Sequence, residues 1–161
     1  MNINSKSILS RYSQLLGKKN IIKIQRKAKK FEKNKILHIN ATKFGGGVAE
    51  ILQNMIPLMH ELEIDAKWKV FNAPDRFFEI SKKMHNALQG NMEIHFSDDE
   101  ISAYVSQAKS TYDQIKPEAD FIIIHDPQPC PIIKYVDKKH NKWIWRCHID
   151  TSNPNPQAWE I

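Results

Sequence analysis

The 161-residue sequence predicts an α/β domain in which helices cover both faces of a parallel sheet. Short strand-like segments alternate with amphipathic helical segments along most of the chain. One of these segments, DFIIIH at 120–125, is a continuous apolar run, as is typical of a central strand that is covered on both faces. Apolar residues make up 41% and charged residues 26% of the composition, so a packed core is expected.

Residues 1–35 are predicted to form a basic helical segment that precedes the main domain. Apolar residues at helical spacing occur on both sides of Gly17, which is expected to separate two short helices. This segment carries a net charge of +10, whereas residues 36–161 carry −4. We interpret it as an amphipathic arm that packs on its own domain or on a neighbouring molecule; an RNA-binding or anionic-surface arm is the alternative.

Residues 36–161 are predicted to form the sheet and its covering helices. Strands are expected at 35–40, 66–72, 120–125 and 142–149, and helices at 46–63, 74–89, 97–115 and 129–140. Pro74 suits a helix start, and Ser97 with Glu100 predicts a capping box at the third helix. The tail that begins at Thr151 is interpreted as a loop.

The composition also disfavours several classes of protein. No run of 18 or more apolar residues exists, so no membrane span is expected, and the N-terminus lacks the apolar core of a secretory signal. Cys130 and Cys147 cannot form a disulfide framework, which favours a reducing, cytoplasmic setting. Neither they nor the seven histidines show metal-ligand spacing, so no metal is expected. Because the basic surplus is confined to the first 35 residues, nucleic-acid binding by the main domain is not expected.

Candidate functional residues are expected at the carboxyl ends of the strands, where open α/β sheets bind ligands. The first strand leads through Gly45, Gly46 and Gly47 directly into a helix. Glycine lets the backbone approach a ligand closely, and a helix N-terminus offers free N–H groups to phosphate or hydroxyl groups. The alternative is a glycine-rich turn that only allows tight packing of the helix.

Polar side chains follow the third predicted strand. It ends in His125, Asp126 and Gln128, and Pro127 and Pro129, on either side of Gln128, stiffen the turn. Carboxylate and amide groups bind the hydroxyl groups of polyols, which predicts a sugar site. The alternative is that Asp126 or Gln128 caps the next helix.

The fourth predicted strand ends in Arg146, His148 and Asp150. Strand alternation places Arg146 and His148 on one side and Cys147 on the other, so a thiol nucleophile paired with His148 is not favoured. A structural pair of His148 with Asp150 is the alternative to a binding role.

A fourth cluster lies on the helix predicted at 74–89. His85 and Gln89 share one face of that helix, and His85 and Asn86 are placed to contact a sugar at its end. The alternative is a solvated polar face.

The chain resembles the N-terminal half of the trehalose glycosyltransferring synthases in four segments, KILHINATKFGGGVAEIL, FFEISKKMHNALQG, FIIIHDPQP and WIWRCHIDTSNPN. The leader pattern YSQLLGKKNIIKIQRKA extends the resemblance along the whole chain. These proteins are retaining glycosyltransferases of the GT-B fold and are similar to trehalose phosphorylases. The resemblance therefore implies one Rossmann-like domain of a pair that encloses the active site in a cleft.

The resemblance implies transfer of glucose from ADP-, UDP- or GDP-glucose to glucose, which forms trehalose with retention and is reversible. No further cofactor is implied. This chain corresponds to the acceptor-side half, and is expected to be an incomplete domain. The nucleotide-sugar domain is absent from it, so we expect it to be inactive without that domain or a separate subunit.

The resemblance also assigns roles to individual residues. The catalytic pair is Asp126 and His148. The donor phosphates are expected at Gly45, Gly46 and Gly47. Sugar contacts are expected at His85, Asn86, His125, Gln128, Arg146 and Asp150, of which the last two would also orient the loop that carries His148.

Two alternatives to the synthase half remain open in the sequence. One is a half of a trehalose phosphorylase, which uses inorganic phosphate in place of the nucleotide. The other is a non-catalytic sugar-binding or assembly subunit. The apolar stripe of the basic arm also favours self-association, so a homo-oligomer is expected.

Overall fold

A computed structural model describes residues 7–136 and 140–161, and in this part of the chain it contains a four-stranded parallel sheet. The strands are β1 (Lys35–Asn40), β2 (Asp65–Val70), β3 (Phe121–His125) and β4 (Lys142–Arg146). Their order is β2-β1-β3-β4. The apolar run 120–125 thus forms a central strand, as predicted.

Helices connect and cover the strands. They are α1 (Ile8–Leu16), α2 (Lys18–Ala28), α3 (Gly47–Glu61), α4 (Asp75–Leu88), α5 (Asp98–Ile115) and α6 (Pro156–Glu160), with 3₁₀ turns at Lys29–Phe31 and Cys130–Tyr135. The ends of α3, α4 and α5 lie within two residues of the predicted ones. The capping box of α5 is also confirmed, because the Ser97 hydroxyl accepts the Glu100 N–H and the Glu100 carboxylate accepts the Ser97 N–H.

The two faces of the sheet are covered by different helices. Leu37, Ile39 and Ile122 point to one face, where the buried side chains of α4 and α5 pack against them. Strand alternation turns Ile36 and Ile123 to the opposite face, where α2 and α3 supply the contacts. This arrangement confirms the predicted α/β class with helices on both faces, and it is consistent with a Rossmann-like half of a GT-B fold.

Two elements near the fourth strand were predicted too long. The helix expected at 129–140 is a 3₁₀ turn, Cys130–Tyr135, that begins with i→i+3 bonds from Cys130 N–H to Pro127 O and from Ile132 N–H to Pro129 O. Residues 137–139 of that prediction lie outside the described residues. β4 ends at Arg146 instead of 149, because its partner β3 ends at His125 and the chain then turns away.

The tail that was interpreted as a loop contains a short helix, α6. Asn155 caps it with a side-chain oxygen that accepts N–H bonds from Gln157 and Ala158, and Pro156 occupies its first turn. An asparagine followed by proline is a local signal for a helix start. The prediction missed it because only five residues of helix follow.

The basic arm forms two helices that meet at Gly17 (φ 80°), as predicted. The Glu61 carboxylate at the end of α3 anchors the arm, since it accepts hydrogen bonds from Ser7 Oγ at 2.6 Å, Ile8 N at 2.7 Å and Leu9 N at 2.8 Å. The arm therefore packs on its own domain. Leu15 and Ile22 stay 79% and 63% exposed, and self-association through them stays a prediction.

Removing the Glu61 carboxylate is expected to release α1 from α3. The Leu9 N–H, the Ser7 hydroxyl and the Ile8 N–H, in that order, hold the pKa of Glu61 below its usual value. Because docking lowers the pKa of Glu61, its ionised carboxylate stabilises the docked arm at pH values above the ordinary glutamate pKa. That stabilisation is lost as the pH falls through the lowered pKa. We therefore expect the protection factors of the α1 amides, which correct for the intrinsic exchange rate at each pH, to fall in acid, and to be low in Glu61→Ala at every pH. Glu50→Gln, an exposed change on the same helix, is the control; unchanged exchange in Glu61→Ala would contradict the anchor.

Candidate active site

The loops that follow β1, β3 and β4 meet at one edge of the sheet, because parallel strands end on the same side. The first is the glycine loop, residues 41–46, which leads into α3. The second begins at Asp126 and the third at Cys147. The sequence prediction placed its catalytic and phosphate-binding residues in these three loops or next to them.

Three histidines form a hydrogen-bonded line, which we call the histidine row: His38 in β1, His125 in β3 and His148 in the loop after β4. His38 Nδ1 lies 3.0 Å from His125 Nε2, and His125 Nδ1 lies 2.9 Å from His148 Nε2. Consecutive rings are stacked, with interplanar angles of 26° and 21°. The row brings a buried imidazole pair into contact with His148 at the sheet edge.

The register of the strands explains the row. His38 of β1 pairs with Ile123 of β3, and His125 lies two residues after Ile123. His125 in turn pairs with Arg146 of β4, and His148 lies two residues after Arg146. A step of two residues keeps a side chain on the same face of the sheet, so all three histidines share one face. His38 was not among the predicted site residues. A signal was present, since alternation in KILHIN places a histidine and an asparagine on one face of a buried central strand.

Burial makes the inner two histidines weak bases. Burial, helped by the positive charge of Arg146, lowers the pKa of His38 to about 4. Burial first, then the neighbouring His38 and His148 and the Arg146 charge, lower the pKa of His125 to about 3. Their exposed fractions are 3% and 1%. Both rings are therefore neutral near pH 7. His125, which was predicted to contact sugar, has both nitrogens bonded to other histidines and lies behind His148.

Asp126 holds the loop that carries His148. Its Oδ1 accepts the His148 N–H at 2.8 Å, and its own N–H donates to Arg146 O at 3.1 Å. Its carbonyl oxygen accepts from Trp145 Nε1 at 3.1 Å. The residue has φ 62°, in the left-handed region that aspartate tolerates better than most residues. Among the described residues, Oδ2 has no hydrogen-bond partner, which leaves it available to a ligand.

The glycine loop is open to solvent. Gly45 and Gly46 have φ of 76° and 88°, which strains any residue with a Cβ, and α3 starts at Gly47. A Cβ added at any of these three positions meets no atom within 4 Å. Tight packing of the helix is therefore not the reason for these glycines, whereas the positive φ of Gly45 and Gly46 fits a turn that requires glycine. Gly46 provides no side-chain cap, so the first N–H groups of α3 are free for a ligand.

A cleft of about 400 Å³ lies beside the glycine loop. It brings together three predicted sugar contacts, His85 and Asn86 from α4 and Gln128 from the loop after β3. A second cleft, also about 400 Å³, lies beside α6 and has mainly apolar walls such as Trp145 and Trp159. Of these two clefts, the first combines imidazole, amide and hydroxyl groups, which are the partners that a sugar needs.

The last two predicted site residues lie at the surface. Arg146 is exposed, and its carbonyl oxygen is the acceptor for Asp126. Asp150 is also exposed and binds its own loop, where the hydroxyl and the N–H of Ser152 lower its pKa. His148 is bonded to His125 and Asp126, so a structural pair with Asp150 is not formed.

Comparison with known proteins identifies the family. A family model described as trehalose synthase, N-terminal domain, matches residues 38–161. The chain belongs to the trehalose synthase N-terminal domain family. The matched residues include the glycine loop and all three members of the histidine row, so the site lies within the part that defines the family.

Relatives of this N-terminal domain are named trehalose synthases. The chain is 41% identical to that of Thermococcus litoralis over 154 residues, which cover 95% of this chain and 37% of the relative. It is 40% identical to that of Pyrococcus horikoshii over 160 residues, 98% of this chain and 38% of the relative. The Rubrobacter xylanophilus protein is 36% identical over 93% of this chain and 37% of its own length. The chain thus spans little more than a third of these relatives.

The described residues of this trehalose synthase N-terminal domain, 7–136 and 140–161, hold neither a membrane-spanning helix nor a cluster of metal ligands. None of their helices is long and apolar enough to cross a membrane. Within the same residues, no group of three histidine, cysteine, aspartate or glutamate side chains is arranged to hold a metal ion.

Proposed function

We propose that this chain is the acceptor-side domain of a glycosyltransferase that transfers glucose from a nucleoside-diphosphate glucose to glucose, forming trehalose. One observation carries the proposal: in a chain of this family, His148 and Asp126 are held rigidly at the sheet edge where the open glycine loop begins α3. Its relatives are named trehalose synthases, which supports trehalose as the product.

The glycine loop is the proposed contact for the donor phosphates. Free N–H groups and the positive end of the helix dipole attract phosphate, and the empty space above Gly45, Gly46 and Gly47 admits it. The donor is ADP-, UDP- or GDP-glucose in this proposal. The nucleotide itself would bind to the part of the family protein that this chain does not span.

The cleft beside α4 is the proposed acceptor site. His85, Asn86 and Gln128 offer donors and acceptors to sugar hydroxyl groups. Asp126 Oδ2 and the ring of His148 would contact the transferred glucose. Arg146 and Asp150 would then act on the loop between them and not on the sugar, because Asp150 is already bonded to Ser152.

Catalysis in this proposal rests on positioning and on charge stabilisation. The glucose–phosphate bond breaks, and the departing phosphate takes the proton of the attacking hydroxyl group while the new glycosidic bond forms on the same face of the sugar. Retention would follow without a covalent enzyme intermediate. In the described structure Cys147 bonds its own loop through Ile149 O, so no thiol nucleophile is assigned.

Ligand binding tests the proposal. We expect NMR titration of the purified chain to show glucose and trehalose perturbing the signals of α4, and ADP-, UDP- or GDP-glucose perturbing the glycine loop. His85→Ala combined with Asn86→Ala should weaken glucose binding by about tenfold, because two hydrogen bonds of roughly 0.7 kcal/mol each are lost. Lys109→Ala, on an exposed face of α5, is the control.

Different outcomes separate the alternatives. Perturbation of the glycine loop by inorganic phosphate but by none of the sugar nucleotides would favour the phosphorylase half. If glucose or trehalose binds but neither the sugar nucleotides nor inorganic phosphate perturbs any signal, a non-catalytic sugar-binding subunit would be favoured. We expect no trehalose formation by the isolated chain, and measurable synthesis by it would contradict the assignment as half of an active site.

A further inference from the structure

The histidine row contains one proton more than its two hydrogen bonds use. A neutral imidazole carries one N–H and one bare nitrogen, so three neutral rings carry three N–H groups. Each of the two N···N contacts, at 3.0 and 2.9 Å, holds one proton between its nitrogens. The third proton must lie at one end of the row, on Nε2 of His38 or on Nδ1 of His148. Its position fixes the direction of both hydrogen bonds.

The two ends of the row have different surroundings. His38 is 3% exposed, and its Nε2 is buried without a hydrogen-bond partner among the described residues. His148 is half-buried and lies at the sheet edge, where water or a ligand can reach it. Unpaired N–H groups are rarer in protein interiors than acceptors with free lone pairs. The buried end is therefore the poorer place for the proton.

We infer that the spare proton lies on Nδ1 of His148 and that His38 and His125 keep it there. His38 donates Nδ1–H to Nε2 of His125, and His125 donates Nδ1–H to Nε2 of His148. All three rings then share the Nδ1–H tautomer. His38 and His125 are positioning residues, since they decide which atom of His148 can donate. His148 thereby offers a hydrogen-bond donor to an acceptor oxygen of whatever ligand occupies the site.

Two further observations bear on the protonation and the position of the rings in the row. Burial keeps His38 and His125 neutral near pH 7, with pKa values of about 4 and 3, so each of these two rings carries one N–H. The Asp126 carboxylate holds the backbone N–H of His148 at 2.8 Å, which limits how far the ring can turn away from His125. Because Asp126 holds the backbone of His148 and His125 occupies its Nε2, only the Nδ1 side of the His148 ring can face a ligand.

Nitrogen-15 NMR of histidine side chains measures the tautomers directly. In the ligand-free chain at about pH 8, above the ordinary histidine pKa of about 6.5, we expect Nδ1–H and bare Nε2 for all three rings of the row. His60 provides an internal reference with the opposite tautomer, because its Nε2 lies 2.6 Å from Ala66 O and must donate. Nε2–H in the three rings, or a mixture of both forms, would overturn the inference.

Substitutions test which residues set the tautomer. His125→Phe removes the donor to His148, so we expect His148 to change from the Nδ1–H form to the mixture of an exposed histidine. An ionised carboxylate only accepts hydrogen bonds, so His38→Asp should accept from His125 and reverse the row. His95→Phe changes an exposed ring and is the control.

Persistence of the pure Nδ1–H form of His148 in His125→Phe would overturn the positioning role. If substitutions in the buried row prevent folding, the wild-type spectrum alone still decides the direction. The measurement needs no sugar, so its failure is distinct from a failure of the proposed function, which the glucose titration reports.

Discussion

Asp126→Ala is expected to weaken binding of glucose or trehalose by about tenfold or more, equivalent to about 1.4 kcal/mol. The substitution removes the free Oδ2 and also the acceptor that holds the His148 N–H at 2.8 Å. His148 then loses its fixed position at the sheet edge. The affinity of the purified chain for each sugar, measured by calorimetry or NMR titration, checks this expectation.

The same substitution is expected to lower the free energy of unfolding by about 2–4 kcal/mol. The unpaired N–H of His148 accounts for about 1–3 kcal/mol, and alanine in the left-handed conformation, φ 62°, for about 1 kcal/mol more. Asp126→Asn is the matched control, since asparagine tolerates this conformation and retains an acceptor oxygen. It should remain within about 1 kcal/mol of the parent chain. Unchanged sugar affinity in Asp126→Ala would rule out the role given to Asp126.

Asn155→Ala is expected to destabilise the chain by about 3–5 kcal/mol, because its buried side chain makes four hydrogen bonds. Its oxygen caps α6 through the N–H groups of Gln157 and Ala158, and losing such a cap costs about 1 kcal/mol. Its amide donates to Asn91 O at 3.1 Å and Ile94 O at 2.9 Å. Each carbonyl left unpaired adds about 1–2 kcal/mol.

Urea denaturation of the two proteins measures this difference. Asn153→Ala is the matched control, because Asn153 lies in the same segment with an exposed side chain, and its effect should be below about 0.5 kcal/mol. Asn155→Asp keeps the cap oxygen and loses the two donated bonds, so an intermediate loss is expected. A loss below about 1 kcal/mol in Asn155→Ala would show that α6 contributes little to the stability of the domain.

Local signals predicted most elements of the fold correctly. The run 120–125 became the central strand β3, Gly17 separates α1 from α2, and Ser97 with Glu100 caps α5. Each signal depends on neighbours within a few residues, so the linear pattern contains it. The length of the helix predicted at 129–140 was overestimated. Proline suits the first turn of a 3₁₀ helix as well as of an α-helix, so the sequence indicates where a helix begins but not how many turns follow.

The candidate site was predicted in part. Asp126, His148 and the glycines lie at strand ends, where position along the chain already indicates a ligand edge. The sequence pattern could not show that His125 lies behind His148, because this depends on where each chain segment ends in space. It also could not show that the glycines have open space above them, so tight packing of α3 is not what requires them.

The sequence by itself determined the α/β class, the family resemblance and the loops that carry the chemistry, because these depend on residue type and spacing. Only the tertiary structure decided that His38, 87 positions before His125, is its hydrogen-bond partner. The pairing of β1 with β3 and of β3 with β4 sets that contact through the register of three strands. Likewise, Glu61 anchors a helix more than 50 positions earlier in the chain. Such contacts join residues that share no local pattern, so folding alone brings them together.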